Sequence, residues 1–169
     1  GYGYTAVNGP TVKDIWALRS AGLGLLANIP GDDKGVACIE DTAVAIEDLA
    51  DYMAEFAELM AGFDQEVIYY AHAGAGEIHL RPILNLKQRE DQQLFYDITL
   101  SVAKLVKKYR GSLSGEHGDG RVRAPFLPLV VGEANYHRFE RIKAIFDPKN
   151  IFNPGKIVAA PAMNEDLRY

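Results

Sequence analysis

The stretch His72-Ala73-Gly74-Ala75-Gly76-Glu77-Ile78-His79 constrains this chain more than any other. Before it runs Val67-Ile68-Tyr69-Tyr70, and after it runs a second apolar-polar alternation to Leu84. Two such runs around a glycine-rich turn predict a β-hairpin with strands over 66–72 and 77–84. A two-residue turn at Ala75-Gly76 would pair Gly74 with Glu77, Ala73 with Ile78 and His72 with His79. Opposed residues share a face, with Cβ atoms about 4.5–5.5 Å apart. Two imidazoles at that spacing can grip one metal ion. The bland alternative is two ordinary histidines beside a hairpin. A one-residue change of turn length would put them on opposite faces.

The remaining elements follow from capping and periodicity. Thr11 reads as a helix N-cap with Asp14 as its capping-box partner, and Gly22 as the stop of a short helix. Residues 23–35 hold Gly24, Pro30, Gly31 and Gly35 and read as a loop, with a short strand over 36–40. Asp41 or Thr42 reads as the cap of a helix carrying Ile46, Leu49, Met53, Phe56 and Met60 and ending at Gly62. The longest helix is expected over 88–109, with Leu94, Phe95, Ile98, Val102, Leu105 and Val106 inward. A glycine-rich loop over 111–120 and a short helix around 123–131 come next. A helix over 133–146 follows, with Tyr136, Phe139, Ile142 and Ile145 inward, and Asp147-Pro148 stops it. The order strand, helix, strand, strand, helix implies an α+β sandwich, with helices on one face of a small antiparallel sheet.

Composition excludes several classes. The chain has 169 residues, 48% hydrophobic and 24% charged, which suits one globular domain over 1–169. Lys and Arg number 18 against 23 Asp and Glu, a net charge of −5, so no general basic field is available for nucleic acid. No apolar run approaches the ~18 residues of a membrane span. One cysteine, Cys38, excludes an internal disulfide framework and a multi-cysteine zinc site, and points to a reducing cytoplasm. The opening Gly1-Tyr2-Gly3-Tyr4-Thr5 reads as the middle of a longer sequence, which suggests an excised piece.

Ser112-Leu113-Ser114-Gly115-Glu116-His117-Gly118-Asp119-Gly120 is the second constellation. Its glycines allow close backbone approach. In an extended segment Glu116 and His117 point to opposite sides. Glu116 can therefore complete a His₂Glu metal set with His72 and His79, while His117 stays free as a base. The alternative is a connector whose charges are solvated. Arg19, Arg81, Arg121 and Arg123 flank these motifs, and a guanidinium fork matches a carboxylate. An anionic small substrate follows if they are not plain surface arginines. The last motif, Phe146-Asp147-Pro148-Lys149-Asn150-Ile151-Phe152-Asn153-Pro154-Gly155-Lys156, reads physically as a turn after a helix.

HAGAGEIH, SGEHGDG and FDPKNIFNPGK in this order resemble the C-terminal part of FAD-linked oxidases, the family of D-lactate, glycolate and D-2-hydroxyglutarate dehydrogenases. The resemblance runs from about Trp16 to Lys156 and is nearest to the branch that joins a flavin half to an iron–sulfur half. It implies the C-terminal cap, or substrate, domain of a larger flavoprotein, similar to a partial ferredoxin-like sandwich, with FAD held mainly by a domain absent here. It implies His72, His79 and Glu116 as ligands of a divalent metal, zinc above all, and His117 as the general base. Arg19 matches a substrate-carboxylate arginine, and Asn153 and Lys156 belong to a signature on the cofactor side. The implied reaction oxidises a D-2-hydroxyacid, of 2-hydroxyglutarate or lactate type, to the 2-oxoacid with hydride transfer to flavin. The implied partners are the FAD-binding domain and an iron–sulfur domain, in the cytoplasm or at the inner membrane face.

The family's better-known hairpin reads His-x-Gly-Asp-Gly-Asn-x-His, where this chain has Ala75 and Glu77. Arg81 stands where some members carry a substrate-contacting Asn, and an unpaired cation there would favour a second substrate carboxylate. The nearest candidate for a lysine used by some relatives is Lys34. Two other classes compete. One is a stand-alone metal hydrolase using the same His₂Glu set and a metal-bound water. The other is an interaction module whose glycine-rich loops merely pack. An open sheet edge would also invite self-association.

Overall fold

The structure is a computed structural model and describes residues 5–167, apart from the side chains of Leu23 and Ala27. The opening glycine-tyrosine stretch, residues 1–4, lies outside the described residues. The elements in chain order are α1 (Thr11–Ala27), β1 (Lys34–Gly35), β2 (Thr42–Ala43), α2 (Leu49–Gly62), β3 (Val67–His72), β4 (Glu77–Leu84), α3 (Arg89–Lys108), α4 (Leu127–Val131) and α5 (Glu133–Phe146). The fold is α+β, as the element order implies.

β4 is the centre of an antiparallel sheet. β3 pairs with one edge of it from Val67↔Pro82 to His72↔Glu77. Along the other edge lie β1, with Lys34↔Leu84, and β2, with Thr42↔Ile78. Eight positions separate Lys34 from Thr42, while their partners Leu84 and Ile78 are six apart. The intervening chain therefore bulges, and Asp41 takes a left-handed φ of 81°. Bulges of this kind re-aim side chains. Here the bulge carries Glu40 and Asp41.

Strand alternation sorts β4 into two faces. Ile78, Leu80 and Leu84 are buried on the helix side, against Tyr52, Phe56 and Met60 of α2 and Phe95, Ile98, Val102 and Val106 of α3. Each such side chain contributes roughly 1.5–3 kcal/mol of burial. α3 has Glu90 and Asp91 in its first turn and Lys107 and Lys108 in its last, matching its macrodipole. Glu77, His79 and Arg81 occupy the opposite face of β4.

Five expectations need correction. The short strand expected over 36–40 is absent: those residues form the bulge, with β1 before it at Lys34–Gly35 and β2 after it at Thr42–Ala43. The hairpin turn has four residues, with a 3₁₀ turn at Ala73–Ala75 and Gly76 left-handed at φ 72°, so His72 faces Glu77 and His79 faces Tyr70. α1 starts behind Pro10 with no side-chain cap, and it runs through Gly22 to Ala27. A lone glycine costs a helix only about 1 kcal/mol. Asp41 and Thr42 cap nothing: Thr42 starts β2, and α2 begins at Leu49 after a 3₁₀ turn over Ile46–Asp48. No residue of α5 is buried, and Ile142 and Ile145 are 54% and 70% exposed. Tyr136 and Phe139 on the same apolar period are half-buried, so the face is only partly covered among the described residues.

Candidate functional site

The polar face of β4 is the floor of the site. Because β3 pairs in register, Tyr70 and His72 share that face with Glu77, His79 and Arg81. The His72 and His79 rings stand edge to face, with centroids 5.2 Å apart at 81°. Tyr70 lies against His79 at 4.8 Å.

The loop over 112–120 brings Glu116 and His117 onto this floor, and Asp41 holds it there. Asp41 Oδ1 accepts from the Glu116 amide at 2.8 Å, and Oδ2 accepts from the His117 amide at 2.8 Å and from the Ser114 hydroxyl. The Gly115 amide donates to the Asp41 carbonyl at 2.7 Å. A Cβ on Gly115 would crowd the Glu77 carboxyl carbon at 3.2 Å, so the loop passes where only glycine fits without displacement. Arg123 closes the far side by donating to the Glu40 and Gly118 carbonyls.

Glu116 Oε1 lies 3.5 Å from His72 Nε2, 3.7 Å from His79 Nε2 and 3.3 Å from His117 Nε2. The His117 ring stacks on His79, with centroids 5.2 Å apart and planes 10° off parallel. Donor atoms of His72, His79 and Glu116 all lie within 4.8 Å of one another, and so do those of Glu40, His79 and His117. Burial pushes the His79 imidazole below its ordinary value, against the opposing pull of Glu40. Its Nδ1 and the Glu77 Oε1 are buried without a hydrogen-bond partner. A hydrogen bond shared with Asp41 pushes the Glu77 carboxyl up to about 7, with help from burial and the Glu116 charge. Asp41 stays well below the usual carboxylate range, because burial is outweighed by hydrogen bonds from Glu77, Ser114 and the two loop amides.

His₂Glu suits a divalent ion of the first transition row, and the donors fit such an ion. The open side is exposed, since His72 and Glu116 are each about half accessible while His79 is buried. That combination leaves room for a ligand. A cavity of about 510 Å³ lined by Ile15, Trp16, Arg19, Ser20, Ala71 and His72 adjoins it.

Residues 3–157 match the family described as FAD linked oxidases, C-terminal domain. The chain belongs to this family. It is 39% identical over 160 residues to the D-2-hydroxyglutarate dehydrogenase of Haemophilus influenzae, covering 95% of this chain and 15% of that protein. With the D-2-hydroxyglutarate dehydrogenase of Escherichia coli it shares 39% identity over 160 residues, 92% of this chain and 16% of the relative. With the D-lactate dehydrogenase of Archaeoglobus fulgidus it shares 34% over 125 residues, 74% of this chain and 27% of the relative. The chain thus spans about 15% of the length of the D-2-hydroxyglutarate dehydrogenases it matches.

Within this FAD linked oxidase C-terminal domain, the residues singled out by sequence divide. His72, His79, Glu116 and His117 converge. Arg19 projects from α1 over the Tyr70 ring, 5.2 Å from its centroid, and lines the adjoining cavity. Arg81 is not an unpaired cation: its Nη2 lies 2.5 Å from Glu40 Oε2, and its Nε donates to Tyr70 Oη at 3.0 Å. The expectation of a second substrate carboxylate on Arg81 therefore loses its premise. Asn153 sits in the C-terminal tail with a left-handed φ of 46°. Lys156 lines a separate groove of about 480 Å³ with Phe139, Ile142, Phe146 and Phe152. No helix among the described residues is long and apolar enough to cross a membrane.

Three residues at the site of this FAD linked oxidase domain were given no place in it by sequence: Glu40, Asp41, which reads as a helix cap, and Glu77, which reads only as a departure in the hairpin. All are buried. The available signal for the first two was an acidic pair directly after the apolar Cys38-Ile39, which burial on both sides would otherwise penalise.

Proposed function

We propose that residues 1–169 are a single domain, the cap part of a larger FAD-dependent dehydrogenase that oxidises a D-2-hydroxyacid to the 2-oxoacid. The 2-hydroxyglutarate class ranks ahead of the lactate class, because relatives at 39–40% identity carry it in their names while the D-lactate dehydrogenase of Archaeoglobus fulgidus is 34% identical. The single observation that carries this reading is the convergence of His72, His79, Glu116 and His117 beside the cavity under Arg19.

Each residue has a role in this reading. His72, His79 and Glu116 hold a divalent metal, zinc by preference. When bound, the metal supplies a positive charge for the substrate's carboxylate and 2-hydroxyl. FAD, held mainly by the rest of the protein, supplies the hydride acceptor for the C2 hydrogen. His117 receives the hydroxyl proton at Nε2, the ring nitrogen on the Glu116 side. Arg19 pairs with a substrate carboxylate from across the cavity. The groove at Lys156, with Asn153 nearby in sequence, faces the cofactor side. An iron–sulfur domain receives the electrons, and the protein works in the cytoplasm or at the inner membrane face.

The test is the visible spectrum of the full-length protein. A flavin band that bleaches on adding D-2-hydroxyglutarate, and bleaches far more slowly after chelation, is the expected result. A preparation without flavin that hydrolyses esters in a metal-dependent way would replace this reading with the hydrolase.

A further inference from the structure

Glu40 has three kinds of neighbour, and together they define a task. Its Oε2 pairs with Arg81 at 2.5 Å. Its Oε1 accepts from Tyr70 Oη at 3.1 Å, and that hydroxyl in turn accepts from Arg81 Nε at 3.0 Å. The same Oε1 faces two imidazoles, 3.8 Å from His79 Nδ1 and 3.6 Å from His117 Nδ1. The carboxylate side chain is 6% exposed, so water does not compete for it.

The two stacked rings are thus oriented alike. Each presents Nδ1 to Glu40 and Nε2 to Glu116. A carboxylate favours a proton on the ring nitrogen it faces, and the buried Glu40 at Nδ1 is screened by water far less than the half-exposed Glu116 at Nε2, so the proton sits on Nδ1 and the Nε2 lone pair is left free. A free Nε2 is what a metal ligand needs, and also what a base needs. At 3.6 and 3.8 Å the Nδ1 contacts are longer than formed hydrogen bonds, and contacts of this kind tighten when a site is loaded. The Nδ1 of His79 has no hydrogen-bond partner, so Glu40 is the acceptor in reach.

We infer that Glu40 is a shared positioning residue: clamped by Arg81 and Tyr70, it sets the tautomer and orientation of both His79 and His117. Arg81 then acts on the carboxylate of Glu40 rather than on the substrate. The bulge between β1 and β2 delivers Glu40 to this place. The inference rests on the dehydrogenase reading for the roles of the two rings.

The test uses Glu40→Gln in the full-length protein. Zinc affinity is measured by chelator competition, and turnover of D-2-hydroxyglutarate at saturating zinc. Glutamine keeps the volume but replaces the charged acceptor with a neutral amide. Zinc affinity is expected to fall roughly 10–100-fold, as when other outer partners of metal-bound histidines are lost. The kcat is expected to fall at least about tenfold, with KM much less affected, because the base and not substrate binding is disturbed. Unchanged zinc affinity or unchanged kcat in a folded Glu40→Gln protein overturns the inference while the wild type still binds zinc and turns over. A wild type that takes up no zinc overturns the metal reading itself, and this inference with it. If Glu40→Gln fails to fold, Tyr70→Phe removes one clamp while keeping the ring. A weaker zinc affinity and lower kcat in that variant support the inference, and wild-type values in both overturn it.

Discussion

His72 and His79 are diagonal neighbours across the hairpin, with ring centroids 5.2 Å apart. Their approach depends on the turn between them. Gly76 ends that turn with a φ of 72°, and its carbonyl accepts from the Val44 amide at 3.0 Å. A Cβ at this position would strike the Val44 carbonyl oxygen. Gly76→Ala is therefore expected to destabilise the chain by about 2 kcal/mol or more, the left-handed cost plus the clash. Thermal unfolding measures the loss. Zinc affinity should fall with it, because the turn sets the register of both histidines.

Asp41 ties the loop over 112–120 to the sheet through three side-chain hydrogen bonds. Asp41→Ala should cost roughly 2–3 kcal/mol, since it empties a buried site and frees three donors at once. Local hydrogen exchange distinguishes this from a general loosening. The amides of Glu116 and His117 should lose protection first, while the amides of α3 keep theirs.

The legible parts of this fold were those with strong local periods. β4 was read to the residue, and α3 to within one residue at each end, because alternation and 3.6-residue spacing are unmistakable over eight or more residues. The hairpin register was not legible. Glycine at both 74 and 76 permits several turns, and the chain chose a four-residue one. The histidine pair survived because the shift was by two residues, which preserves the face. Glu40 and Asp41 were hidden for a different reason. An acidic residue followed by Thr42 ahead of an apolar helix looks like a cap, and Asp41 meets its partners 73 to 76 residues away. The inward face assigned to α5 was a correct period with partial cover: Tyr136 and Phe139 are half-buried, while Ile142 and Ile145 are exposed.

Asp147 gives the clearest pH dependence away from the histidines. Lys143 donates to it at 2.6 Å, and the amides of Ile151 and Phe152 donate at 2.8 and 2.9 Å. The Lys143 hydrogen bond, aided by those amides and against the cost of burial, holds the carboxyl below its ordinary value of 3.8. A depressed folded value means stability that is fully present above the unfolded value and is lost as pH falls through the folded one. Asp147→Asn should therefore weaken the tail at neutral pH, with protection of the Ile151 and Phe152 amides falling roughly tenfold. As the pH falls through the depressed folded value, where the wild-type carboxyl also protonates, the two proteins should converge.

Arg19 tests the substrate side. It is the cation over the cavity that Arg81, held by Glu40, does not supply. Its own guanidinium carbon lies 5.2 Å from the Tyr70 ring centroid, a cation–π contact that helps to place it. A charge-assisted bond from a guanidinium to a carboxylate is worth about 1.5–3 kcal/mol. Arg19→Met in the full-length protein should therefore lower kcat/KM for D-2-hydroxyglutarate by roughly 10–150-fold. Zinc affinity should not move, since Arg19 touches none of the ligand atoms in the His₂Glu set. The loss should appear mainly in KM if the arginine holds substrate and transition state alike. Equal losses in kcat and kcat/KM would instead place Arg19 against the charge that develops during hydride transfer. A variant with wild-type kcat/KM would remove Arg19 from the substrate site and leave the carboxylate to the metal alone.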